Sequence, residues 1–258
     1  MELKQIPYRE VKPRKTGITM VMDKGLSLRQ AEDLVETAGH LVDFVKLGFG
    51  TSYVSPGVRE KVRLYQQHGI RVFAGGTLFE AFVVRGQAED YFRYIDWIGL
   101  DAAEVSDGSM KMHHEEKCAF ISRLSKNRMV LSEVGAKEAD VVLDHQSWIR
   151  QMNGELAAGS SYVIGEARES GTVGIFESTG KADTSLIGDI LAAVPSEKII
   201  WEAPLKPQQV WFIKRIGPTV NLGNIAPADA VPLETLRLGL RGDTFFDVLP
   251  EELQHLKL

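Results

Sequence analysis

Short apolar runs that end on a charged residue recur along the whole chain, and this repetition constrains the fold more than any other feature. Val21-Met22 leads to Asp23 and Lys24, Phe44-Val45 to Lys46, and Ala102-Ala103 to Glu104. Val130-Leu131-Ser132 leads to Glu133, Val163-Ile164-Gly165 to Glu166, and Ile199-Ile200-Trp201 to Glu202. Runs this short, alternating with longer helical stretches, predict buried strands in βα units around a parallel sheet. In such sheets the C-terminal strand ends meet at one face, where chemistry is carried. Residues scattered along the chain are therefore expected at one densely charged mouth, which is the mark of an enzyme.

The same reading places strands over 17–22, 42–47, 71–74, 102–105, 129–132, 162–164, 198–201 and 219–222. Between them, Ser27 caps a helix, a second spans 58–67 and stops at Gly69, and Gly75-Gly76-Thr77 opens a third. That third helix breaks at Gly86 and resumes through 91–94, and further helices cover 113–125, a long stretch ending near Ala158, 184–193, 208–214 and 232–238. The polar, glycine-rich loop 166–174 is expected to fold over something. Eight strands alternating with eight helical segments fit a closed (β/α)8 TIM barrel better than an open doubly wound sheet. The length of 258 residues agrees, since such barrels run to about 250. No Pro/Gly/Ser-rich linker divides the chain, so one catalytic barrel domain is expected over 17–258. Residues 1–16 read as an irregular N-terminal arm containing Pro7 and Pro13.

Composition removes several function classes. A net charge of −5 without a basic stripe argues against a nucleic-acid partner. No run of about 18 apolar residues exists to span a membrane, and the N-terminal stretch lacks the apolar core of a signal peptide. A cytoplasmic protein is expected, as a homo-oligomer, although no interface stripe stands out. The single cysteine, Cys118, forbids an internal disulfide and any multi-cysteine metal site. It reads as core on the apolar side of its helix. Adjacent His113 and His114 point about 100° apart on a helix and cannot both face one site. Met20 and Met22 share one strand face and are expected to fill the barrel.

Four glutamates, Glu104, Glu133, Glu166 and Glu202, stand at or beside predicted strand ends. Carboxylates gathered at one mouth repel one another unless a cation sits among them. A hard cation such as Mg²⁺ suits that setting, taking one or two carboxylates, waters and substrate oxygens, so some of the four must do other work. Pairing with Lys46, Lys137 or Arg168 is the alternative for some of them. The cations Lys46, Lys137, Arg168 and Arg241, beside glycine turns, suggest an anionic substrate. Gly75-Gly76-Thr77, opening a helix, and Gly223-Asn224, after the last strand, are candidate phosphate cradles.

The chain resembles the phosphosulfolactate synthase family. The stretches that carry the resemblance include Lys12-Pro13-Arg14, Gly17 through Gly25 and Val45 through Thr51, then Gly75 through Glu80, Glu104 through Ser109, Ser132 through Lys137 and Glu166 through Gly171. Trp201-Glu202-Ala203-Pro204, Val220 through Ile225 and Leu233 through Thr244 complete a series that runs in order along most of the chain. The resemblance implies a carbon–sulfur lyase acting in the synthetic direction. It would add sulfite to the methylene carbon of phosphoenolpyruvate, with Mg²⁺, to give (2R)-2-phospho-3-sulfolactate, which can feed coenzyme M synthesis or become sulfolactate. It implies Lys137 as the proton donor, and Glu104 and Glu133 as the first choices for Mg²⁺. Glu166 and Glu202 would complete the metal shell or orient the lysines. Catalytic Lys46, with Arg168 and Arg241, would hold phosphate and sulfite, helped by backbone N–H groups at Gly76, Gly223 and Asn224. Asp23 and Lys24 are further sulfite or lid candidates. Two other readings stand beside this one: a Schiff-base aldolase using Lys46 or Lys137, and a non-catalytic barrel that binds a phosphorylated metabolite.

Overall fold

Eight parallel strands curl round a common axis: β1 (Thr19–Asp23), β2 (Phe44–Leu47), β3 (Arg71–Ala74), β4 (Ala102–Val105), β5 (Met129–Val134), β6 (Tyr162–Gly165), β7 (Ile199–Glu202) and β8 (Leu222–Ile225). The computed structural model describes residues 3–135, 143–167 and 170–257. Hydrogen-bonded neighbours run in the order β3-β2-β1-β8-β7-β6-β5-β4. The two ends of that order, β3 and β4, are bridged by side chains at the seam. Asp101 Oδ1 accepts from Val72 N at 2.9 Å, and Glu104 Oε1 accepts from Gly76 N at 2.6 Å. The result is the nearly closed (β/α)8 barrel that the strand count predicts.

Strand alternation decides what fills it. On five strands an inward apolar residue is followed two positions later by an acid or a lysine: Phe44 by Lys46, Ala102 by Glu104, Leu131 by Glu133, Ile164 by Glu166 and Ile200 by Glu202. The five apolar members, with Ile18, Met20 and Phe73, form one buried cluster in the centre of the barrel. The floor is thus packed shut and the charged members are lifted to the C-terminal mouth. Register adds stagger, because Glu104 pairs with Leu131 and Glu133 with Ile164, so each charge stands level with its neighbour's apolar plug.

Ten helices among the described residues cover the outside: α1 (Leu28–Ala38), α2 (Thr51–Val54), α3 (Val58–Gln67), α4 (Gly76–Val83), α5 (Ala88–Ile98), α6 (His114–Leu124), α7 (His145–Ala158), α8 (Thr184–Ala193), α9 (Lys206–Ile216) and α10 (Ala230–Arg237). α1 shows the local logic. Ser27 and Gln30 form a capping box at its start, and Ala31, Leu34, Val35 and Ala38 bury one helical face against the sheet. The break expected at Gly86 separates α4 from α5.

The eighth strand begins three residues later than the sequence suggests. Val220 N is still held by the Gly217 carbonyl, at 3.2 Å. The Asn221 carboxamide then substitutes for ladder bonds, accepting from Ile18 N and donating to the Glu197 and Ile199 carbonyls at 3.0–3.1 Å. A β-branched stretch cannot reveal that its hydrogen bonds are made by a side chain.

The N-terminal arm lies across the opposite, closed end. Lys12 Nζ donates to the carbonyls of Gly39 and His68, and Arg14 to those of His40 and Leu41. These are the carbonyl ends of α1 and α3, where cations are favoured. The basic character of the arm is thereby used within the molecule.

Candidate active site

At the open mouth, Lys46 is enclosed by acids from three other strands. Its Nζ lies 2.9 Å from Glu133 Oε2, 3.0 Å from Glu104 Oε2 and 3.3 Å from Glu202 Oε1. All four side chains are buried. Burial would pull the Lys46 pKa down, but the fields of Glu104, Glu133, Glu202 and Glu166 outweigh it and hold the ammonium well above the usual lysine range. Burial, partly offset by Lys46, raises the carboxyl of Glu202.

The acids divide by what else they touch. Glu104 spends its second oxygen on Gly76 N, the first residue of α4. Glu202 Oε2 accepts from Ala167 N at 3.1 Å, tying the end of β7 to the loop after β6. Glu133, Glu166 and Glu202 each offer an oxygen within 4.8 Å of the others, forming a buried acidic triad that can hold a metal ion. The donor set consists of carboxylate oxygens without sulfur or imidazole, which suits a hard divalent cation. A cation of that kind would offset the repulsion among the carboxylates that Glu133, Glu166 and Glu202 bring together.

Above this cluster opens a cavity of about 650 Å³, whose walls include Met22, Lys24, Phe49, Gly76, Thr77, Ser109, Ser170, Leu205 and Asn224. Lys24 reaches it with its ammonium 5.8 Å from the Phe49 ring centre. Asn224 sits at φ +55°, in the left-handed region. Gly223 instead faces the packed interior, where an added Cβ would stand 2.3 Å from Met20 Cε. Gly76 lies on the cavity wall, yet the N–H expected to meet phosphate donates to Glu104. Arg241 is in the turn after α10, where its carbonyl accepts from Thr244 N, and it is not a wall residue. Asp23 is wholly engaged in holding the β1–α1 loop, accepting from Gly25 N, Leu26 N, Tyr65 Oη and Lys61 Nζ. Lys137 and Arg168 lie outside the described residues.

Other sequence expectations find their places. Met20 and Met22 both point inward, the first into the floor and the second into the cavity wall. His113 and His114 are not wall residues. Cys118 is half-buried rather than core, because the buried face of α6 is Lys117, Ile121 and Leu124.

Two residues were missed. Glu80 anchors the loop after β4, accepting from Ser106 Oγ at 3.1 Å and Ser109 N at 2.9 Å. Lys117 is fully buried behind β5. Its signal was available, since it occupies the i position of an i, i+4, i+7 buried stripe, where a lysine is out of place unless paired.

A parallel eight-stranded barrel with an acidic, metal-capable mouth above a closed floor defines the class: a (β/α)8-barrel enzyme. Comparison with known proteins narrows it, and the chain belongs to the (2R)-phospho-3-sulfolactate synthase (ComA) family, whose model matches residues 7–243. It is 42% identical over 245 residues to the phosphosulfolactate synthase of Bacillus subtilis (strain 168), covering 94% of this chain and 97% of the relative. It is 44% identical over 244 residues to the phosphosulfolactate synthase of Methanothermobacter thermautotrophicus, covering 92% and 95%. Among solved structures, 3-hexulose-6-phosphate synthase superposes with a TM-score of 0.53 at 17% identity, over 84% of this chain and 97% of that one. That likeness concerns the fold alone.

Proposed function

We propose that this protein joins sulfite to phosphoenolpyruvate with Mg²⁺, giving (2R)-2-phospho-3-sulfolactate, as a cytoplasmic homo-oligomeric enzyme of small anionic substrates. The observation that carries the reading is the mouth itself, where Lys46 and the acidic triad converge beneath a cavity that Lys24 and Asn224 help to wall. Membership of the (2R)-phospho-3-sulfolactate synthase family supports the choice of reaction.

In this reading the sulfur lone pair attacks the methylene carbon and the C–S bond forms. The π pair of the double bond moves toward the carboxylate, and a proton delivered to one face of the carbon bearing phosphate completes the R product. Glu133, Glu166 and Glu202 would hold Mg²⁺, which when bound withdraws charge from the substrate carboxylate. Lys46, held as an ammonium, opposes the repulsion between the two anions and stabilises the negative charge that gathers in the transition state. Glu104 keeps Lys46 in place from the far side. Lys24 and Asn224 face the anionic groups from the rim, with Arg168 as a further cation. Lys137, four residues past Glu133, is the proton donor.

An ammonium has no lone pair for a carbonyl carbon, so the environment of Lys46 does not favour the imine reading. The test is phosphorus NMR of the purified protein with phosphoenolpyruvate, sulfite and Mg²⁺. A new phosphate-ester resonance that requires sulfite and is lost with EDTA supports both reaction and metal. Unchanged phosphoenolpyruvate with folded protein overturns the reading.

A further inference from the structure

The carbonyl of Glu133 faces a gap in the sheet. Along β5 the carbonyls of Val130 and Val134 turn toward β6, accepting from Ser161 N at 2.8 Å and Glu166 N at 3.1 Å. Carbonyls alternate sides along a strand, so that of Glu133 turns toward β4. The paired residues of β4 and β5 end at Val105 and Ser132, one step short of it. A buried carbonyl in that position needs a donor. Lys117 supplies one, its Nζ lying 2.6 Å from Glu133 O.

The same ammonium, fully buried on α6, lies 2.8 Å from Asp107 in the loop after β4 and 2.8 Å from Glu155 on α7. Glu155 is also fully buried. One side chain thus ties the β4 loop, α6, α7 and the end of β5 behind a member of the acidic triad. The two carboxylates hold the lysine pKa above its usual value against burial, which pulls it down.

We infer that Lys117 is a positioning residue of the active site: by capping the Glu133 carbonyl it sets the height and direction at which that carboxylate enters the metal cluster. The inference rests on the proposed metal role of Glu133, Glu166 and Glu202. A purely structural role for Lys117 would lower stability and leave metal affinity alone. Groups behind metal ligands that only orient them change affinity by about ten- to a hundredfold when removed.

The experiment measures binding of Mn²⁺ alone, by loss of its free-ion EPR signal, together with thermal stability and the split between kcat and KM. In the paired variant Lys117→Met/Glu155→Leu no buried charge is orphaned on the α6–α7 interface, a replacement that buried ion pairs often tolerate. It is expected to fold and to bind Mn²⁺ about tenfold or more weakly, with kcat reduced. Glu155→Gln, which keeps Lys117 and its carbonyl contact, is expected to lower stability while leaving Mn²⁺ affinity unchanged. If the paired variant fails to fold, Lys117→Gln takes its place, one atom shorter than the lysine and without its charge. Wild-type Mn²⁺ affinity in the folded paired or Gln variant overturns the positioning role. Equal weakening in Glu155→Gln also overturns it, because the effect would then follow packing. No Mn²⁺ binding by the wild-type protein overturns the metal reading and this inference together.

Discussion

Glu104 Oε1 accepts from Gly76 N at 2.6 Å, so the opening turn of α4 carries an anion built into the protein. The other oxygen of Glu104 lies 3.0 Å from Lys46 Nζ. The carboxylate thus bridges a helix N-terminus, where negative charge is stabilised, and the central ammonium. Glu104→Gln keeps the shape but loses the charge. Mn²⁺ affinity is expected to stay within about threefold of wild type, while kcat/KM falls about tenfold or more, the size of one charged hydrogen bond. Isothermal titration and steady-state kinetics on the same preparation check both.

Gly76 is required by this contact. A Cβ there would stand 2.3 Å from Ser106 Oγ and 2.6 Å from Glu104 Oε1. Gly76→Ala is expected to cost about 1–3 kcal/mol and to depress activity. Gly188 lies within α8, and a Cβ there meets nothing within 4 Å. Gly188→Ala is expected to add about 0.5–1 kcal/mol of stability with activity unchanged. Urea unfolding of the pair shows whether contact geometry, and not glycine as such, sets the outcome.

Removing the ammonium leaves its acids facing one another. Lys46→Met is expected to lower kcat by about a hundredfold or more, as when one preorganised donor is lost. Single-turnover kinetics at saturating substrate check this, and circular dichroism confirms that the variant is folded.

Lys137→Ala is expected to abolish turnover with the fold intact, because it removes the proposed proton donor. Near-full activity in the phosphorus NMR assay would remove Lys137 from the mechanism.

At the closed end, Arg9 Nε and Nη2 donate to the two oxygens of Glu234 at 2.8 and 3.0 Å. Burial pushes the Glu234 pKa up, but the Arg9 hydrogen bonds and the charges of Arg9, Arg237 and Arg14 outweigh it, and the net shift is below the ordinary 4.5. A carboxyl depressed in the folded state contributes stability that is full above its unfolded pKa. That contribution is lost as pH falls through the lower folded value. Glu234→Gln is expected to lower Tm at pH 7 and to flatten its decline below about pH 4.5. Melting curves between pH 3 and 7 test the sign.

The recurring step from an inward apolar residue to a charged one two positions later determines the barrel, its closed floor and its charged mouth. Both faces of that prediction follow from the period of two, which every strand obeys regardless of its neighbours. Phe44 with Lys46 and Ile200 with Glu202 are therefore legible as plug and mouth without coordinates. So are the break at Gly86 and the α1 cap at Ser27, which are local events.

Partner choice among the charges was not legible. Four glutamates occupy equivalent sequence positions, yet Glu104 braces a helix and a lysine while Glu133, Glu166 and Glu202 approach one another. Gly223 and Arg241 carry phosphate-site sequence signals, but Gly223 faces the packed interior beside Met20 and Arg241 lies in an outer turn. Lys117 appears in no motif and reaches the mouth from behind. These outcomes depend on strand stagger, on which strand ends first, and on how far each side chain must reach. The sequence alone determined which strand residues rise to the mouth, Lys46 and the glutamates among them, because alternation is local. Only the tertiary structure decided what each one holds there, because distance between strands is not.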